Sequence, residues 1–231
     1  VSGAPRRVEY GDAGAPLLYV PSSGGDEREL ERYGMRDDLA PWIEAGRIRV
    51  WSVDGSARRH LWNGSLTPRE RMRGYARYER ALVREVLPAL ADAAGESPWV
   101  VGTSYGAYVA ANLLFKHPAQ LAGACGLGGV YGMWHLLEGH HDDDVYFHTP
   151  LEFVPRLDDP AILDAIRRTA GLQIFAGERD EWLESSLRMA QVLRLKQLPH
   201  RLDVWGGEVG HHERWWRRQL RVSIEARYGP P

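Results

Sequence analysis

The chain has 231 residues, 44% hydrophobic and 26% charged, with a net charge of −2, which describes an ordinary globular domain and excludes a disordered or collagen-like chain. Two of the 29 basic residues are Lys (Lys116, Lys196) and the rest Arg, but 31 acidic residues are interspersed with them, so no basic stripe points to nucleic acid. The longest apolar runs, 17–21 and 99–101, fall far short of the ~20 residues of a membrane-spanning helix, and no membrane partner is expected.

At the N-terminus, Val1-Ser2-Gly3-Ala4-Pro5-Arg6-Arg7 lacks the apolar core of a signal peptide, which makes a cytoplasmic location the expectation. Short apolar or β-branched runs bounded by Gly or Pro predict strands at 17–21, 48–53, 99–103, 123–127, 172–176 and 201–205. Helical periodicity predicts helices at about 68–94, 105–117, 182–198 and 213–228. The first opens with a capping box, Thr67-Pro68-Arg69-Glu70, and Pro88 is expected to kink or split it. Alternating strands and helices predict one α/β domain over 1–231, a mostly parallel sheet with helices on both faces and ligands at the carboxyl ends of the strands. The segment 128–159 breaks the alternation and reads as an excursion over that end. It is too short for a large cap domain.

Gly102-Thr103-Ser104-Tyr105-Gly106 matches G-x-S-x-G in the context the motif requires, a strand before it and a helix after it. Such an elbow exposes Ser104 Oγ above the sheet and aims the first N–H groups of the next helix at an oxyanion beside it. A serine nucleophile needs a base, and the base an orienting carboxylate, in the chain order Ser, Asp or Glu, His. Asp180, on the loop after 172–176, is the preferred acid, with Glu178 as alternative; capping of the next helix is the rival reading of Asp180. His211, after the glycine-rich stretch 206–210, is the preferred base over His212. Ser23 or Gly24, in the small-residue turn after 17–21, is expected to supply one oxyanion donor and Tyr105 N–H the other. Trp134, Tyr146, Phe147, Trp182 and Trp215 are candidate walls of the substrate pocket.

His140-His141-Asp142-Asp143-Asp144 carries ligand-type side chains, but adjacent residues do not converge on one ion and no spaced His or Cys accompanies them. It reads as a solvated loop, and neither metal nor cofactor is expected. The lone cysteine, Cys125, excludes an intramolecular disulfide framework and lies on a predicted core strand.

Several stretches together resemble the compact bacterial esterases of the esterase D type in the α/β-hydrolase superfamily. They are Tyr19-Val20-Pro21-Ser22-Ser23-Gly24-Gly25-Asp26 with Tyr33-Gly34-Met35, Trp42-Ile43-Glu44-Ala45-Gly46-Arg47-Ile48 and the elbow with Ala107-Tyr108. Asp143-Asp144-Val145-Tyr146-Phe147 with Pro150, and Gly210-His211 with Trp216-Arg217-Arg218-Gln219-Leu220, complete the set. The resemblance implies a serine esterase or a related acyl-transferring enzyme with Ser104, Asp180 and His211 in the triad positions, and the absence of room for a large cap makes soluble or surface-accessible esters, not long-chain lipid, the expected substrates. The chain departs from the family where it reads Gly210-His211-His212-Glu213 in place of Gly-His-Asp-Trp. A non-catalytic binding module on the same scaffold is the remaining alternative.

Overall fold

In a computed structural model, residues 5–231 are described; the first four residues of the segment read above for leader character lie outside the described residues. The strands β1 (Arg7–Tyr10), β2 (Ala15–Val20), β3 (Ile48–Val53), β4 (Trp99–Thr103), β5 (Gly123–Leu127), β6 (Leu172–Arg179) and β7 (His200–Gly210) form one sheet in the order β1-β3-β2-β4-β5-β6-β7. All pairings are parallel except that of β1, which runs antiparallel to β3 along the edge. β2 and β4–β6 are buried almost throughout, the burial expected of strands covered on both faces.

Two hydrophobic clusters separate the faces. One packs α1 (Glu29–Arg32), α2 (Met35–Glu44) and α10 (Glu213–Tyr228) on the sheet through Leu30, Met35, Leu39, Trp42, Trp216, Leu220 and Ile224. The other gathers α3 (Pro68–Ala81), α4 (Leu87–Ala94), α5 (Tyr105–Lys116), α8 (Pro160–Arg168) and α9 (Leu183–Leu195). α5 is buried from Tyr105 to Phe115, which is why its sequence is apolar all round rather than striped.

The expectations for 68–94 and 201–211 are refined in instructive ways. The segment 68–94 is divided just before Pro88, into α3 (Pro68–Ala81) and α4 (Leu87–Ala94). A π-helical turn, Leu82–Val86, precedes Pro88, with Leu87 N–H reaching back to Leu82 O, so the register shifts where the proline cannot donate. The predicted strand 201–205 continues to Gly210, because Arg179 pairs with Gly210 past a register shift whose extra residues lie in β7, between Trp205 and Gly210. The excursion 128–159 is not a bare loop but carries α6 (Asp143–Phe147), α7 (Pro150–Phe153) and 3₁₀ turns, pinned by Asn112 Nδ2 donating to His148 O and Arg71 Nη1 to Leu136 O. Among the described residues no helix is long and apolar enough to cross a membrane.

Candidate active site

β4 delivers Thr103 to Ser104, and α5 starts one residue later. Ser104 sits at φ 52°, ψ −110°, a conformation that costs a residue bearing a Cβ about 1–3 kcal/mol and persists only where the surroundings enforce it. They do so here: Ser104 N–H donates to Leu127 O at 2.8 Å. A Cβ on Gly102 would lie 2.0 Å from the Gly106 backbone, and one on Gly106 would lie 2.0 Å from Val20 O. Both elbow glycines are therefore required by close approach, strand to helix and helix to the end of β2.

The other two groups arrive from the carboxyl ends of neighbouring strands. His211 follows β7 and places Nε2 2.9 Å from Ser104 Oγ, while its Nδ1 lies 3.0 Å from Asp180 Oδ1. Asp180 is 7% exposed and accepts also from Trp182 N–H at 2.9 Å, so the same carboxylate closes the turn before α9 and faces the imidazole. Helix capping, the rival reading of Asp180, is not realised: the N-cap of α9 is Trp182, and no side chain caps the helix. Glu178 is turned away and accepts from Gly207 N–H at 2.9 Å. His212 is the N-cap of α10, its Nδ1 accepting from Arg214 N–H.

Gly128, at the end of β5, was not singled out in the sequence. Its φ is +57°, and a Cβ there would stand 2.6 Å from Trp216 Nε1, 2.9 Å from Asp180 Oδ2 and 3.2 Å from His211 Nδ1. The Asp180 carboxylate and the His211 imidazole meet over a space that only glycine leaves open. Trp216 packs edge-on against His211, with ring centroids 4.8 Å apart, and is thus the α10 aromatic at the imidazole.

The turn 22–25 lies beside the first turn of α5, because Gly106 abuts Val20 O and Pro21 O. Gly25 N–H donates to Ser22 O at 3.0 Å, whereas the Ser23 and Gly24 N–H groups have no partner among the described residues. Tyr105 N–H, as the first of α5, has no intrahelical acceptor. Beneath the turn lies Glu29, fully buried, a residue the sequence reading missed. Its Oε1 accepts from Tyr19 Oη (2.8 Å), Ser22 N–H (2.9 Å) and Thr103 Oγ1 (2.9 Å), and its Oε2 from Ser22 Oγ (2.6 Å). One carboxylate thereby joins the end of β2, the turn and the residue before Ser104.

A second missed element is the loop after β3. Burial pushes the Asp54 carboxyl up, but Ser56 N–H and the Arg59 and Arg6 guanidiniums outweigh it and hold it below its ordinary value. Anchored by Asp54, this loop carries Trp62 edge-on to Tyr105, ring centroids 5.3 Å apart, and Arg58 to within 3.5 Å of where a Cβ on Gly24 would lie.

The five aromatics expected to line a pocket are spread more widely. Trp182 follows Asp180 and stacks with His135 at 4.9 Å. Trp134 is 40% exposed, donating to Glu152, and Phe147 is 55% exposed, edge-on to Tyr146. Trp215 lies between Arg214 and Arg218 instead of against the imidazole. The cluster 140–144 is engaged locally: Asp142 caps α6 and contacts His140, while His141 pairs with Glu152. Among the described residues no three His, Cys, Asp or Glu side chains are placed to hold a metal ion.

Strand order, elbow and the meeting of three loops at one sheet end define the α/β-hydrolase fold. Solved structures share it. A ferulic acid esterase superposes with a TM-score of 0.73 at 17% identity, over 94% of this chain and 85% of that one. The S-formylglutathione hydrolase FrmB from Staphylococcus aureus gives 0.66 at 17% identity, over 94% and 82%. FphF, a fluorophosphonate-binding serine hydrolase of Staphylococcus aureus, gives 0.68 at 14% identity, over 97% and 98%. No family model matches the chain, and no curated protein matches it in sequence.

Proposed function

We propose that the protein is a serine hydrolase that cleaves carboxylic esters through an acyl-enzyme. The observation that carries this reading is the continuous hydrogen-bond chain from Ser104 through His211 to Asp180, mounted on a strained elbow. With Asp180 accepting from Nδ1–H, Nε2 is free to accept, and the Ser104 hydroxyl donates to it; the tautomer is assigned from these partners. As Ser104 Oγ bonds to the ester carbonyl carbon, its proton passes to His211 Nε2, and Asp180 stabilises the imidazolium. The oxyanion is received by Tyr105 N–H and by the free N–H of Ser23 or Gly24, at the positive end of α5. The imidazolium protonates the departing alcohol. His211 then deprotonates a water that attacks the acyl carbonyl, releasing the acid and restoring the serine.

The short helices of 128–159 and the Trp62 edge at Tyr105 favour a small ester with an aromatic or mixed apolar group. A fluorophosphonate probe is expected to label Ser104, and Ser104→Ala to lower p-nitrophenyl acetate turnover by ~10⁴-fold or more. Unchanged turnover in that variant refutes the assignment. With alcohols or amines added, free acid is the expected product; preferential acylation of the acceptor would make the enzyme an acyltransferase.

A further inference from the structure

Away from Ser104, a cleft of about 270 Å³ opens between α2 and α10, lined by Asp38, Arg214, Arg217, Arg218 and Arg221. The four arginines stand at i, i+3, i+4 and i+7 along α10 and share one face. Like charges at this spacing destabilise a helix, so the arrangement is unfavourable without a counter-charge. Asp38 supplies one, fully committed to Arg217, which it binds through two bonds of 2.7 and 2.9 Å. Arg217 also lies against Gly34, where a Cβ would stand 3.0 Å from its Nη1, so this guanidinium is fixed from two sides. Arg214, Arg218 and Arg221 enter no ion pair among the described residues. Trp215 holds two of them in place, its ring centroid 4.8 Å from the Arg214 guanidinium carbon and 5.6 Å from that of Arg218.

We propose that this cleft is an anion site for a compact multivalent phosphate of the diphosphate class. Guanidinium forks match phosphate oxygens in paired hydrogen bonds, and three unpaired forks around one concavity exceed what a single carboxylate satisfies. The volume corresponds to roughly nine waters, which accommodates two linked phosphate groups. The site is independent of the ester-hydrolase reading.

The test uses inorganic pyrophosphate on the intact protein. Isothermal titration is expected to give one site per chain, and pyrophosphate to raise the thermal midpoint saturably above sodium chloride of equal ionic strength. In the Arg214→Gln, Arg218→Gln, Arg221→Gln triple variant, affinity is expected to fall at least tenfold. Arg218→Gln alone, a single exposed change that leaves the core untouched, is expected to lower it about threefold or more. A response that tracks ionic strength only, or that survives in the triple variant, overturns the proposal. So does retention on phosphatidate vesicles without any binding of pyrophosphate, which would make the face a lipid-docking surface.

Discussion

Glu29 is the strongest test of how the turn 22–25 is held. It is fully buried and accepts four hydrogen bonds, from Tyr19, twice from Ser22 and from Thr103. In Glu29→Ala the hydroxyls retain some recourse, since Tyr19 and Thr103 lie 3.1 Å apart and can bond each other. Ser22 N–H has none, and a cavity opens beneath Gly25, whose missing Cβ would otherwise stand 1.9 Å from Glu29 Oε2. An unsatisfied buried donor costs about 1–3 kcal/mol and the emptied volume adds to it, so a loss of about 3–5 kcal/mol is expected, tolerable for a domain of ordinary stability. Glu29→Gln keeps the volume. Its carbonyl serves the three donors at Oε1 and its amide turns toward Ser22 Oγ, so only the charge assistance goes, about 1–2 kcal/mol. Because the turn carries the proposed oxyanion donors, kcat for p-nitrophenyl acetate is expected to fall about 10²–10³-fold in the alanine variant and about tenfold in the glutamine variant. KM should change little in either. Urea unfolding at constant m, run beside the kinetics, separates the two effects. An alanine variant within 1 kcal/mol and twofold of the parent in both refutes the role given to Glu29.

Three further outcomes follow from particular contacts. Gly128→Ala, forced to φ +57° with its Cβ inside contact distance of Trp216, Asp180 and His211, is expected to lower kcat at least ~10²-fold while circular dichroism stays native; parental kcat would contradict the packing described. Burial pushes the Glu79 carboxyl up, but His117 and the Lys116 ammonium, 2.5 Å away, bring it down to about 2. Since the folded value lies below the ordinary 4.5, its contribution of about 3 kcal/mol is present above pH ~4.5 and is lost as pH falls from there toward 2. Unfolding midpoints measured between pH 5 and 3 should therefore fall less in Glu79→Gln than in the parent, and an equal fall in both refutes it. Burial raises the Cys125 thiol to about 12, so Ellman's reagent should react with it only on unfolding; fast reaction with the native protein would place it elsewhere.

What the sequence revealed and what it hid divide by the distance over which the controlling contact acts. The elbow was legible because strand, G-x-S-x-G and helix are contiguous, and each glycine has a reason within four residues of Ser104 or in the adjoining end of β2. Asp180 and His211 were legible as types at the ends of strands, since a parallel sheet brings those ends together whatever the intervening sequence. Glu29 was not, because a glutamate within Asp26-Glu27-Arg28-Glu29-Leu30-Glu31 looks like solvated charge. Its contacts with Tyr19, Ser22 and, 74 residues on, Thr103 distinguish it from its neighbours. Gly128 was hidden for the same reason, its neighbours coming from β6, β7 and α10. The strand β7 was cut short since consecutive glycines signal turns, whereas here Gly177 and Val209 approach so closely that a Cβ on Gly177 would lie 2.2 Å from Val209 O. α2 went unread because Pro41 interrupts its periodicity; Leu39 and Trp42 packed against the sheet outweigh the hydrogen bond the proline omits. Trp215 and Trp216 make the same point within one helix. Trp215 was the expected pocket wall, but the 100° between successive helical residues sends Trp216 to the imidazole and Trp215 to the arginines, two different chemistries from adjacent identical side chains.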